Sequence, residues 1–148
     1  MSELKLRSYQ ESDEPQVVKL WWQVFPDSSN WNDPHQDIAS KLSVQRDLFI
    51  VAMLEEELVG TAVGGYDGHR GWVHLVAVNP SFRRRGIGAA LKHRVEQDLA
   101  ALGCPKLNLQ VRAENSEVVA FYQSLGYQVE ERVSMGKRLA PDTKTLDK

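Results

Sequence analysis

The run Arg83-Arg84-Arg85-Gly86-Ile87-Gly88-Ala89 brings together the ingredients of an anion site. Glycine lets a backbone turn tightly and approach a ligand with no side chain in the way. The run comes after an apolar, strand-like segment, Val73 to Val78, and opens a helix-like one, Ile87 to Leu102. A helix start there offers unpaired N–H groups and the positive end of the helix dipole, and the arginines add full positive charge. The ligand such a place suits is a phosphate or pyrophosphate. Taken alone, R-x-x-G-x-G reads equally well as a plain turn after a strand. It does not fit the two common phosphate-binding folds. A dinucleotide fold places G-x-G-x-x-G after its first strand, and a P-loop ends in Gly-Lys-Ser/Thr.

The elements that must position this run are legible in the hydrophobic pattern. Leu4-Lys5-Leu6-Arg7 alternates as a short strand. Ser12 or Asp13 is placed to cap a first helix that carries Val17, Leu20, Trp21, Val24 and Phe25 on one face. A second helix begins near Pro34. Leu48 to Leu54, Leu58 to Tyr66 and Trp72 to Val78 read as a three-stranded meander. Glu55-Glu56-Glu57 forms the first turn rather than a metal site, because consecutive acids do not converge on one ion. Ile87, Leu91, Val95, Leu99 and Leu102 form an amphipathic helix, stopped by Gly103 and Pro105. Leu107 to Val111 alternates as a strand. Asn115 caps a further helix with Val118, Phe121, Tyr122 and Leu125 on its buried face. Tyr127 to Leu139 reads as one or two closing strands. The result is one α/β domain over residues 1–140, ordered β-α-α-β-β-β-α-β-α-β, with a polar, flexible tail over 141–148.

Composition narrows the function. The chain has 148 residues and a formal net charge of −2, which argues against a general nucleic-acid binder. No stretch approaches the roughly 18–20 apolar residues of a membrane span, and the first residues lack an apolar signal core. Cys104 is the one cysteine, so no internal disulfide is available, in keeping with a cytoplasmic protein. No His/Cys/Asp cluster has metal-ligand spacing.

Two separated motifs carry a family resemblance. Val73-His74-Leu75-Val76-Ala77-Val78-Asn79-Pro80 with Arg83-x-x-Gly86-x-Gly88-Ala89 resembles the acetyl-CoA signature of the Gcn5-related N-acetyltransferases (GNAT). Leu109-Gln110-Val111-Arg112-Ala113-Glu114-Asn115 with Ala120-Phe121-Tyr122-Gln123-Ser124-Leu125-Gly126-Tyr127 is similar to the second half of that pattern. Trp31-Asn32-Asp33-Pro34 and the segment Gly65 to Gly71 are similar to small bacterial YpeA-like acetyltransferases. The resemblance implies a mixed, V-shaped central sheet with helices on both faces. It also implies acetyl-CoA as co-substrate and an amine acceptor, a small molecule or a protein N-terminus.

Residue by residue, the resemblance assigns the CoA pyrophosphate to backbone amides of Arg84, Arg85, Gly86, Gly88 and Ala89, with Arg83 at the motif's first position. The pantetheine arm would pair like an extra strand with Val76 and Val78, where two parallel strands part, with Asn115 helping to hold it. Tyr122 matches the tyrosine that protonates the leaving thiolate. By spacing alone Tyr122 reads as a core residue and only the Phe-Tyr-x-x-Leu-Gly context favours the catalytic role; Asn115 also reads as a helix cap. The general base stays open. Where related N-terminal acetyltransferases often carry a glutamate, this chain has Gln110, which cannot accept the proton. His74, on one strand face with Trp72 and Val76, has suitable chemistry but also reads as a buried, paired histidine. Asp33, Asp67 and His69 lie in loops near the expected acceptor site, and a water relay or an amine arriving neutral would serve instead. Acceptor contacts are expected from Trp31, Tyr66, Asp67, His69, Arg70 and Trp72, against the plainer reading of Trp31 as a loop anchor and Asp67-Gly68 as a turn. The rival function is a non-catalytic CoA-binding module or sensor. The expected partners are acetyl-CoA and the amine, without nucleic acid or membrane, in a monomer or homodimer.

Overall fold

Apolar runs broken by short polar turns fold here as an antiparallel meander. In the computed structural model, which describes residues 3–25 and 33–140, strands β2 (Phe49–Leu54), β3 (Glu57–Tyr66) and β4 (Gly71–Val78) pair in sequence. Strand β1 (Leu4–Ser8) adds antiparallel to β2, and β5 (Leu107–Asn108) adds parallel to β4, giving the order β1-β2-β3-β4-β5. Helices α1 (Glu14–Val24), α2 (Pro34–Leu42) and α3 (Ile87–Ala101) complete the first of two compact units, Met1–Leu109. Helix α4 (Ser116–Ser124) lies in the second, Gln110–Lys148. No helix among the described residues is long and apolar enough to cross a membrane.

Strand alternation sorts the first unit's core into two layers. Phe49, Val51 and Met53 point to one face of the sheet, where they meet Val17, Leu20 and Trp21 of α1 and Ile38 of α2. Ile50 and Ala52 point to the other face and meet Ile87, Leu91, Val95 and Leu99 of α3. That helix seats deeply because the sheet beneath it lacks side chains where the helix ridge falls. A Cβ on Gly60 would lie 2.9 Å from Leu91 and 3.2 Å from Ile87; one on Gly64 would lie 2.9 Å from Val95, and one on Gly71 2.9 Å from Leu99. The close seating fixes where α3 begins, and with it the arginine–glycine loop.

The first helix departs from its expected cap. Asp13 sits at the N-cap position but makes no side-chain cap bond. Its buried carboxylate instead accepts two bonds from the Arg7 guanidinium (2.8 and 2.9 Å) and one from the Gln10 amide (2.8 Å). Two strand expectations are corrected. The strand expected over Leu107–Val111 is only Leu107–Asn108. No residue from Tyr127 to Leu139 is in a strand, and Val129, Val133, Met135 and Leu139 are exposed. Alternation alone does not make a strand; it needs a partner edge and a face to bury. Helix α4 likewise has no fully buried residue, and Phe121 is exposed. The tail over 141–148 lies outside the described residues.

One buried group gives the fold a pH signature. Lys92 on α3 is 1% exposed, and burial, only partly offset by Glu96, lowers its pKa from 10.5 to about 8. Between those values the unfolded chain binds the extra proton, so Lys92 contributes stability that grows as pH rises. Urea unfolding of the wild type and Lys92→Met between pH 7.5 and 10.5 checks this. The wild type is expected to gain on the variant by up to about 3 kcal/mol across that range.

Candidate active site

The site is organised by one extra residue in β4. The register runs Val63↔His74 and then Thr61↔Ala77, so Leu75 and Val76 together oppose Ala62 alone. This is a β-bulge, which bends a strand and re-aims the residues beyond it. Leu75 takes the left-handed conformation, φ 51°, at a cost of order 1–2 kcal/mol for a residue with a Cβ. A buried hydrogen-bond relay holds it there. The Trp21 indole N–H donates to Thr61 Oγ1 (2.9 Å), and the Thr61 hydroxyl donates to the Leu75 carbonyl (2.9 Å). Thr61 is fully buried. Its only signal in the sequence is a hydroxyl in the otherwise apolar run Leu58 to Val63.

The bulge also corrects the expected strand face. Val73 and Val76 pack on the α3 side, whereas Leu75 and Ala77 pack on the α1/α2 side. His74 lies opposite Val63, which belongs to the α1/α2 side. His74 therefore shares a face with Trp72 but not with Val76, because the inserted residue flips every side chain after it.

Past the bulge, β4 has an open edge. Its pairing with β5 stops at Trp72↔Asn108. The Asn79 amide donates to the Val59 carbonyl of β3 (2.8 Å). Since successive residues along a strand present their backbone groups to alternate edges, the Val76 and Val78 amides face away from β3. On that side no strand among the described residues pairs with them. An extended, hydrogen-bonding chain fits such an edge.

The loop after β4 is shaped for an anion. A turn at Pro80–Phe82 leads into Arg83; Arg84 (φ 65°) and Gly86 (φ 78°) are both left-handed. A Cβ at Gly86 would meet nothing within 4 Å, so the backbone conformation, not space, selects glycine there. Gly86 precedes the first turn of α3 and supplies no side-chain cap. The first intrahelical acceptor is the Gly86 carbonyl, taken by Ala90 (3.0 Å), which leaves the amides of Ile87, Gly88 and Ala89 without helical partners. Arg85 lies over the Phe82 ring, 5.0 Å from its centroid. Arg83, Arg84 and Arg85 are exposed, and among the described residues none makes an ion pair.

His74 is an exposed residue rather than a buried, paired one, and its ring makes no hydrogen bond among the described residues. Crowding by protein, then the positive charge of Lys41, lower its pKa from the ordinary 6.5. Lys41, at the last turn of α2, donates to the Gly64 carbonyl. Its neighbour Gln45 clasps the Tyr66 backbone, accepting from the amide (2.8 Å) and donating to the carbonyl (2.9 Å). No sequence signal singled out Lys41 or Gln45.

The remaining expected residues divide. Trp72 is half-buried in β4, paired across the sheet with Gly65. The Asp67 carboxylate accepts from the amides of His69 and Arg70 (2.8 Å each), and those N–H groups, Arg70 first, hold its pKa low. Asp67 thus fastens its own turn, and His69 lies exposed in that turn. Asp33 caps α2 through the His35 amide (3.0 Å). Trp31 lies outside the described residues. In the second unit, Asn115 caps α4, accepting from the Val118 amide (3.3 Å). The Gln110 side chain donates to the Ser134 hydroxyl. Tyr122 stacks edge-on with Tyr127 (5.7 Å between centroids), and burial raises its pKa above 10.0. Among the described residues no group of His, Cys, Asp and Glu could hold a metal ion.

Comparison with known proteins adds to this geometry. The model of the acetyltransferase (GNAT) family matches residues 14–127. An acetyltransferase of Yersinia enterocolitica is 42% identical over 139 residues, covering 94% of this chain and 98% of the relative. One of Pectobacterium atrosepticum is 42% identical over 142 residues with the same coverage. Among solved structures, an aminoglycoside N-acetyltransferase in complex with CoA superposes with a TM-score of 0.77 at 21% identity, over 95% of this chain and 97% of that one. A ribosomal-protein alanine N-acetyltransferase from Escherichia coli gives 0.70 at 23% identity, over 84% and 77%. These two share the fold.

The relay gives a direct prediction. Thr61→Val removes both hydrogen bonds at similar volume and leaves the Leu75 carbonyl and Trp21 indole unsatisfied. Acetyl-CoA affinity, measured by calorimetry, is expected to fall about tenfold or more. Affinity for 3′,5′-ADP, which lacks the pantetheine arm, is expected to stay unchanged.

Proposed function

The chain belongs to the acetyltransferase (GNAT) family and is an acetyl-CoA-dependent N-acetyltransferase; from that premise we propose how its residues divide the work. The observation that carries the proposal is the open edge of β4 beside a helix-start loop of uncompensated arginines. The pantetheine arm of acetyl-CoA runs along Val76 and Val78 as an extra strand. The pyrophosphate rests on the amides of Arg84, Arg85, Gly86, Gly88 and Ala89, with Arg83 adding charge, and the α3 dipole favours it there. Asn115 caps α4 and also helps hold the arm.

The reaction is direct attack in a ternary complex. The acceptor nitrogen bonds to the thioester carbon, and the carbonyl oxygen takes negative charge that a Val76 or Val78 amide stabilises. The C–S bond then breaks, Tyr122 protonates the departing thiolate, and His74 takes the proton the amine sheds. A tyrosine whose pKa is raised by burial stays protonated, as an acid must. A histidine whose pKa is lowered stays neutral at pH 7, as a base must. Acceptors with an α-amine of pKa near 8 are about one-tenth neutral at pH 7, so little further activation is needed.

Tyr66, Asp67, His69 and Trp72 border the acceptor. Asp67 and Gln45 act there mainly by fixing backbone. The family match spans residues 14–127, which supports a single functional domain. The bacterial relatives and single cysteine favour a bacterial, cytoplasmic enzyme.

Two measurements test this reading. Saturating acetyl-CoA is expected to raise the melting temperature of the wild type, and Gly86→Val to weaken that binding because valine does not tolerate the left-handed backbone. With any acceptor found by monitoring CoA-thiol release, Tyr122→Phe is expected to lower kcat by about 10²-fold or more while the Kd of acetyl-CoA changes little. An unchanged kcat would return Tyr122 to a packing role.

A further inference from the structure

The α1/α2 face of the sheet carries a second charged feature, unrelated to the CoA loop. Gly65 lies opposite Trp72 and Val63 opposite His74, so their side-chain directions share one face. At Gly65 that face has no side chain of its own, and the ends of Lys41 and Gln45 lie over it. A Cβ there would approach only the Lys41 ammonium, at 3.7 Å, and Gln45 Oε1, at 3.8 Å. This patch is flanked by the half-buried Trp72 across the pair and His74 along β4, with Lys41 and Gln45 over it. It adjoins the bulge whose Val76 amide faces the open edge.

Lys41 is half-buried, and burial lowers its pKa. Its ammonium has three N–H donors, and among the described residues the Gly64 carbonyl is its one acceptor. Among the same residues it makes no ion pair. Asp37, one turn earlier on α2 and also half-buried, does not pair with it; burial first and Asp33 second raise the Asp37 pKa. Gln45 is occupied with Tyr66, and Asp67 with its own turn. A half-buried cation with no counter-charge among the described residues gains from an anion delivered by a ligand.

We propose that Lys41 is the anchor for the acceptor, and that the acceptor is a small primary amine that also carries a carboxylate. The carboxylate pairs with the Lys41 ammonium beside Gly65, and Trp72 covers the carbon chain. The amine is turned toward His74 and the bulge. A single ammonium matches a single negative charge, which favours a carboxylate over a phosphate dianion. Lys41 acts on specificity and takes no part in bond making. The inference rests on the acetyl-CoA reading above.

The test is CoA-thiol release with matched pairs, amino acids and ω-amino acids against their carboxamides, alongside phosphoethanolamine and a cationic polyamine. The wild type is expected to prefer the acids in kcat/KM by about 10- to 100-fold, the worth of a charge-assisted hydrogen bond. Lys41→Met should abolish that preference through KM while its acetyl-CoA affinity and acetyl-CoA thermal shift stay as in the wild type. Lys41→Arg, which keeps the charge, should retain part of it. Equal use of acids and amides, a preference for the polyamine or phosphoethanolamine, or an intact preference in Lys41→Met would overturn the proposal. So would silence of all carboxylates while acetyl-CoA still binds. Failure of the wild type to bind acetyl-CoA would instead overturn the underlying reading.

Discussion

A single buried hydrogen-bond relay, from the Trp21 indole through the Thr61 hydroxyl to the Leu75 carbonyl, constrains the course of β4 past its bulge. Leu75 has a side chain that resists the left-handed region, so the bulge persists only where surrounding bonds over-determine it. With it in place, one extra residue in β4 puts His74 and Leu75 toward α1 and α2, and Val76 and Val78 toward α3. Without it, every side chain of β4 beyond the bulge would point to the opposite face. The apolar layer under α3 and the layer under α1 would then both be broken. Fold stability and site geometry therefore depend on the same three residues.

The second constraint is the depth at which α3 sits. Gly60, Gly64 and Gly71 leave a side-chain-free track under Ile87, Leu91, Val95 and Leu99. A helix held that close has a fixed start, which matters because its first amides and the left-handed Gly86 form the anion loop. Open edge and loop are thus consecutive stretches of one chain segment, from Val76 to Ala89. A cofactor with an extended arm and a charged end meets both in order. On the opposite face, Lys41 and His74 form a separate polar neighbourhood. On the proposed reading, donor and acceptor are handled by different layers around the same strand.

Much of this was legible in the sequence. The four-residue spacing of α3's apolar ridge, the meander of β2 to β4 and the glycine after three arginines each reflect local chemistry. The two motifs pointed to the family that the comparisons then identified. The features that the sequence hid were long-range. Leu75 looks like any strand leucine, and its conformation is imposed by Thr61 and Trp21, distant in the chain. The alternation after Tyr127 reads as strand, yet Val129, Val133 and Met135 stay exposed because pairing is not a local property. Lys41 carries no motif, since its significance arises only from the absence of a side chain at Gly65. Asp67, a tempting ligand by type, proves to be fastening its own turn.

The bulge presents the Val76 and Val78 amides along an open edge of β4, and the proposed docking of the acetyl-CoA arm stands on that placement. Amide hydrogen exchange at these two residues, measured by NMR in the free protein and with acetyl-CoA or 3′,5′-ADP, tests it most directly. Both amides are predicted to exchange readily in the free protein, to become protected with acetyl-CoA, and to remain unprotected with 3′,5′-ADP. Protection already present in the free protein, or none gained with saturating acetyl-CoA, would contradict the account.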